Sequence, residues 1–264
     1  FDAVSGVVAN NIAKWNGSDW AALGSGMGTD PAWVYALAIS GANLYAGGQF
    51  YQAGDVEAMY VAKWDGTSWS PLGTGMNNVV EALAVDASGN LYAGGYFTMA
   101  GGVTANRIAK WNGSTWSALG TGMSATFPTT PWVFALAVSG TDLYAGGQFT
   151  TAGGVAANNI AKWNGSTWSP LGVGTNSIVR SLAGSGNDLY AGGYFTKAGG
   201  GNAKYIAKWN GSSWSALAAG MGGGTYPYVW SLAVSGGDLY AGGDFTTAGG
   251  VSAPPGAGWP PSRT

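Results

Sequence analysis

The stretch LYAGGQFTTAGGVAANNIAKWNGSTWSPL, Leu143–Leu171, carries most of one turn of a pattern that fills the chain. Just before it, Val133–Val138 (VFALAV) alternates in the manner of a strand and stops at Ser139-Gly140. Asp142–Gly147 (DLYAGG) follows a tight turn as a second strand, and a glycine-rich loop, Phe149–Asn159, leads to a third, Ile160–Trp163. Asn164-Gly165 is a strong hairpin signal, and Thr167–Leu171 (TWSPL) returns as a fourth strand. Outward from this copy, the Ala-Lys-Trp step recurs at Trp15, Trp64, Trp111, Trp163 and Trp209, and Leu-Tyr-Ala-Gly-Gly recurs at Tyr45, Tyr92, Tyr144, Tyr190 and Tyr240. Two landmarks that keep one period define five copies of a four-stranded unit, the pattern of a propeller blade.

The two ends of the chain hold opposite halves of that unit. Asn11–Trp15 and Trp20–Leu23 are third and fourth strands; Val229–Val234 and Leu239–Phe245 are first and second strands. The expectation is an all-β, five-bladed β-propeller with four-stranded blades, its ring closed by pairing the N-terminal strands with the C-terminal strands. Closure would remove the open edges of the sheets. Residues 1–251 are assigned to the propeller, and the tail 252–264, with four prolines, to an extension that cannot be a central strand. The alternative is a piece of a six- or seven-bladed ring.

The Gly-Gly ending of a hydrophobic strand, the aromatic after it and the tryptophan further on resemble the kelch repeat, over nearly the whole chain apart from the tail. The resemblance implies a propeller of the type found in the central domain of galactose oxidase, and implies little about function. The copper chemistry of that enzyme uses histidine and a cysteine-linked tyrosine, and this chain has no His and no Cys.

Composition narrows the function classes. Forty-eight glycines, 14 tryptophans and only 8% charged residues suit short strands, tight turns and aromatic filling between sheets. A net charge of −2 with scattered lysines and arginines gives no footprint for nucleic acid, and no apolar run approaches membrane-spanning length, so no membrane insertion is expected. Without histidine, the commonest general base and metal ligand are missing. The expectation is no enzyme, no catalytic residues, no metal and no cofactor. Phe1 begins inside a repeat, which reads as a processed or trimmed product.

The two tryptophans that recur in each repeat, the repeated tyrosines, and Phe50, Phe97, Phe149, Phe195 and Phe245 are read as packing between sheets rather than as sugar-stacking sites. Asn-Gly-Ser at Asn16, Asn112, Asn164 and Asn210 matches the glycosylation sequon. Asp65-Gly66-Thr67 fills the same slot, so two-residue turns with positive φ explain all five. Lys14, Lys63, Lys110, Lys162 and Lys208 read as solvated or carbonyl-capping, and Asp86–Asn90 as a turn rather than half a calcium loop.

Positions where the copies diverge point to function. Just after the leading valine of each first strand stand Tyr35, Glu81, Phe134, Arg180 and Trp230, side chains expected to meet at the channel mouth. They read either as a small-ligand site or as a plug in which Glu81 and Arg180 pair. The longer loops before three of those strands carry Trp33, Phe127, Trp132, Tyr226 and Tyr228, read either as a binding face or as a cover over the channel. The functional expectation is a non-enzymatic extracellular or cell-surface recognition module for a glycan or protein ligand. The alternative is a structural repeat module of a surface protein or filament that self-associates, and the remote one a carbohydrate-active enzyme.

Overall fold

The repeated alternation of small and large apolar residues folds into strands where the sequence places them. The computed structural model describes residues 2–28 and 31–252; the expected tail beyond Ser252 lies outside them. Among the described residues, the strands of three or more residues are β1 (Ala13–Trp15), β2 (Trp20–Ala22), β3 (Trp33–Ser40), β4 (Asn43–Gln49), β5 (Val61–Trp64) and β6 (Trp69–Pro71). They continue with β7 (Val80–Val85), β8 (Leu91–Gly95), β9 (Ile108–Trp111), β10 (Trp116–Ala118), β11 (Trp132–Ser139), β12 (Asp142–Gln148), β13 (Ile160–Trp163) and β14 (Trp168–Pro170). The last are β15 (Val179–Ser185), β16 (Asp188–Gly193), β17 (Ile206–Trp209), β18 (Trp214–Ala216), β19 (Tyr228–Ser235) and β20 (Asp238–Asp244).

These strands make four antiparallel four-stranded sheets, β3-β4-β5-β6, β7-β8-β9-β10, β11-β12-β13-β14 and β15-β16-β17-β18. The first strands β3, β7, β11, β15 and β19 pack one on the next in series. Register is the same in each sheet: Tyr45 faces Lys63, Tyr92 faces Lys110, Tyr144 faces Lys162 and Tyr190 faces Lys208.

The closed five-bladed ring is not formed. Among the described residues β1 pairs only with β2, and β19 only with β20, so the two ends are separate two-stranded half-sheets. Exposure shows the gap. Trp15 is 50% and Tyr240 57% exposed, whereas Trp111 and Tyr92 at matching positions are 9% and 7% exposed. The architecture is an open series of sheets, like a solenoid. Each sheet meets its neighbour through the same close contact.

That contact explains the paired glycines. A Cβ on Gly47 would stand 2.5 Å from Val80 Cγ1 of the following sheet, and the same distance separates Gly94 from Val133, Gly146 from Val179 and Gly192 from Val229. The second glycine faces its own sheet: a Cβ on Gly48 or Gly95 would overlap the carbonyl oxygen of Trp33 or Val79. A further tie is the fourth-strand tryptophan. The indole N–H groups of Trp69, Trp116, Trp168 and Trp214 donate to the carbonyls of Leu23, Leu72, Leu119 and Leu171, each in the preceding unit, at 2.8 Å. Phe50, Phe97, Phe149 and Phe195 are fully buried, as core positions.

Two local expectations change. The Asn-Gly turns are four-residue loops, since Trp163 pairs with Trp168. Gly165 has positive φ, and the Asn164 side-chain oxygen accepts from the backbone N–H groups of Ser166 and Thr167 at 3.0 and 2.9 Å. The glycine-rich loops also hold small hairpins, such as Thr151–Ala152 with Val155–Ala156.

Candidate functional site

Every divergent first-strand residue sits at a β-bulge. The ladder shifts between Val34 and Ala36, Val80 and Ala82, Val133 and Ala135, Val179 and Ser181, and Val229 and Ser231. Tyr35, Glu81, Phe134, Arg180 and Trp230 are therefore the extra, unpaired residues, free of cross-strand partners and re-aimed by the local bend.

The structure joins three of them directly. The Arg180 guanidinium carbon lies 4.1 Å from the Phe134 ring centroid and 4.3 Å from that of Trp230. The first residues of β11 and β19 extend the stack on either side: Trp132 stacks on Phe134 at 5.2 Å, and Tyr228 meets Trp230 edge-on at 5.2 Å. Beyond them stand Tyr96, 4.6 Å from Trp132, and Tyr194, 4.8 Å from Tyr228; Arg107 lies 4.5 Å over Tyr96. One row of six rings and two guanidinium groups thus crosses the neighbouring sheets.

Sequence reasoning missed Tyr96, Tyr194 and Arg107. A signal existed for the tyrosines: the residue after Gly-Gly is Gln49, Tyr96, Gln148, Tyr194 and Asp244, so it diverges in the repeat as the bulge residue does.

Glu81 lies beside the row. Burial raises its carboxyl above the usual range, against the opposing pull of Arg180. Tyr35 is raised as well, first by burial and then by the charge of Glu81. Glu81 and Arg180 influence each other through space, and no ion pair joins them among the described residues. Trp33, Phe127 and Tyr226 stand outside the stack, 48%, 93% and 77% exposed.

The stack ties neighbouring sheets together, while its rings Trp230 and Tyr194 remain 45% and 36% exposed. No group of three or more His, Cys, Asp or Glu among the described residues could hold a metal ion. The repeated lysines act locally: Lys162 and Lys208 pair with Asp142 and Asp188 at 2.9 and 3.0 Å. Asp86 accepts from Ser88, Asn90 and Tyr92 and closes its own turn. A cleft of about 600 Å³, lined by Gln148, Phe149, Asn158, Val173, Asn176 and Ile178 among others, contains none of the ten expected site residues. No helix among the described residues is long and apolar enough to cross a membrane.

Residues 87–113 match a domain of unknown function described as a beta-propeller, DUF5122. No curated protein matches the chain. Among solved structures, the computationally designed Ika8 protein is similar with a TM-score of 0.51 and 18% identity, covering 80% of this chain and 55% of that one. The extracellular domain of a putative hybrid two-component system from B. thetaiotaomicron is similar with a TM-score of 0.54 and 12% identity, covering 80% of this chain and 26% of that one. The chain spans about half the length of the first and a quarter of the second. These likenesses are of fold: a β-rich domain, with the match to a propeller family confined to residues 87–113 and not of the kelch type specifically.

Proposed function

We propose that the chain is a non-enzymatic structural repeat module of a surface protein or filament. The observation that carries this reading is the serial packing of near-identical sheets, each first strand on the next. In such an array each unit needs only its neighbours, and length is set by repeat number. Low charge and the likeness of fold to an extracellular domain support placement outside the cell.

Removal of one repeat tests the reading. Deleting Gly73–Leu119 joins Leu72 to Gly120 and restores the sequence SPLGTGM at the junction. The shortened chain is expected to unfold cooperatively in urea, with Trp168 now donating to Leu72. A collapsed or unfolded product would reject serial modularity.

A second reading is favoured by the free rings of Phe127 and Tyr226: a loop face that recognises a glycan, with Trp33 and the bulge residues beside it. Selective signals on a glycan array, lost in the Trp33→Ala/Phe127→Ala/Tyr226→Ala variant, would support it over the structural role.

A further inference from the structure

We propose that the cleft between the sheet β11-β12-β13-β14 and the sheet β15-β16-β17-β18 binds a hexuronate unit, a polyhydroxylated sugar ring that carries a carboxylate. The inference goes beyond the structural-module reading and concerns a site that none of the bulge residues lines. At about 600 Å³ the cleft has the size of a small-molecule site.

Two departures from the repeat coincide there. The backbone N–H groups of Met27, Met76, Met123, Thr175 and Met221 make one recurring hydrogen bond, each to a carbonyl in the loop before a third strand. Thr175 thus stands where the other copies have methionine, and among the described residues it is the one buried polar residue, 3% exposed. Its hydroxyl is satisfied by the Ser177 carbonyl at 2.8 Å. The second position has positive φ in every copy and holds Asn11, Tyr60, Arg107, Asn159 and Tyr205. Asn159 replaces the tyrosine or arginine of three copies, whereas Asn11 stands beside Met27. Both long side chains are missing only at this step between sheets, and the cleft occupies the space they vacate.

The wall left behind is polar, uncharged and cationic at one point. Asn158 and Asn159 donate their amide N–H groups to the carbonyls of Val173 and Thr175 at 3.1 and 2.9 Å, which fixes both amides and leaves their oxygens as acceptors. Among the described residues no partner takes the Gln148 amide or the Lys197 ammonium group. Asn176 accepts from the backbone N–H of Lys197 at 2.8 Å and so anchors that residue at the wall. No carboxylate lines the cleft. Fixed amide acceptors beside an amide donor match neighbouring sugar hydroxyls, each of which gives and takes a hydrogen bond. Val173 and Ile178 offer apolar surface to the C–H face of a ring. A lone cation with no acid beside it selects a ligand with one negative charge.

The repeat supplies variants that keep the fold. Thr175→Met restores the residue of the other copies, and Asn159→Tyr that of Tyr60 and Tyr205. Lys197→Met copies Met99, whose carbonyl accepts from Asn77 as that of Lys197 does from Asn176. The full chain, labelled with ¹⁵N, is titrated with glucuronate, galacturonate and mannuronate, and with glucose, galactose and mannose. At least one uronate is expected to shift the amide signals of Gln148, Asn159, Thr175 and Lys197 saturably, and its neutral parent to bind at least about tenfold more weakly. Thr175→Met and Asn159→Tyr, with thermal midpoints at or above that of the parent chain, should each weaken binding at least about tenfold. Lys197→Met should remove the preference for the uronate.

The inference is overturned if none of the three uronates gives a saturable shift, or if each binds no better than its neutral parent. It is equally overturned if folded Thr175→Met and Asn159→Tyr both bind as the parent chain does. Sodium acetate at matched concentration should leave the four signals in place; the same shifts from acetate would reduce the site to a lone lysine and reject a sugar.

Discussion

Arg180 is held between two rings, and that geometry fixes its worth. Two partly desolvated cation–π contacts are worth about 1–3 kcal/mol together, so Arg180→Ala should lower urea stability by that amount. Arg180→Lys should recover part of it, since an ammonium keeps charge but not the planar stack. Glu81 gives a pH signature. Its carboxyl is raised in the folded state, so the unfolded chain releases that proton first, and stability falls as pH rises from the unfolded value through the folded one. Glu81→Gln should therefore raise the thermal midpoint at pH 7 and have little effect below about pH 4, where glutamate is protonated in both states. Asp65 has the opposite sign. Backbone N–H donors of Ser68 and then Thr67 hold its carboxylate below the usual range, so its contribution is present above the unfolded value and lost as pH falls through the folded one. The bulge residues were legible as places where uniform repeats diverge. Their partners Tyr96 and Tyr194 were not read as such, because the stack joins neighbouring sheets and no spacing along the chain states which strands adjoin.

The elements show why repetition reads so well at one level and so poorly at another. Strand positions followed from alternation and from the Gly-Gly and Trp landmarks, and each four-residue Asx turn kept the hairpin that the Asn-Gly signal announced. The two-residue strands in the glycine-rich loops carry too few residues for periodicity to register. What the elements ask of their residues can be measured. Gly94→Ala would press a methyl group to 2.5 Å from Val133 Cγ1, and a cost of about 1–3 kcal/mol or more is expected in chemical unfolding. Trp116→Phe removes an indole donor to the Leu72 carbonyl, so about 1 kcal/mol is lost with that bond, and more with the missing ring volume. Trp20→Phe in the dilute protein should cost much less, because Trp20 is 37% exposed where Trp116 is 5% exposed.

At the scale of the whole molecule, matching half-units at the two ends do not by themselves bring those ends into one sheet. The five-bladed ring and the open series satisfy the same repeat, the same register and the same Gly–Val contact; the angle accumulated between sheets decides between them, and no residue pattern states that angle. β1 and β20 show the result, each with one edge unpaired. This distinction governs local stability. In a closed ring every sheet has two neighbours, whereas in a series the end sheets have one and should open at lower free energy. Hydrogen exchange on dilute protein should therefore find the amides of Ala13–Ala22 and Tyr228–Asp244 at least about tenfold less protected than those of β7–β16, because each end half-sheet lacks the partner strands that cover its equivalents. Uniform protection would instead require the ends to be paired within one chain, against the separation of β1 and β20.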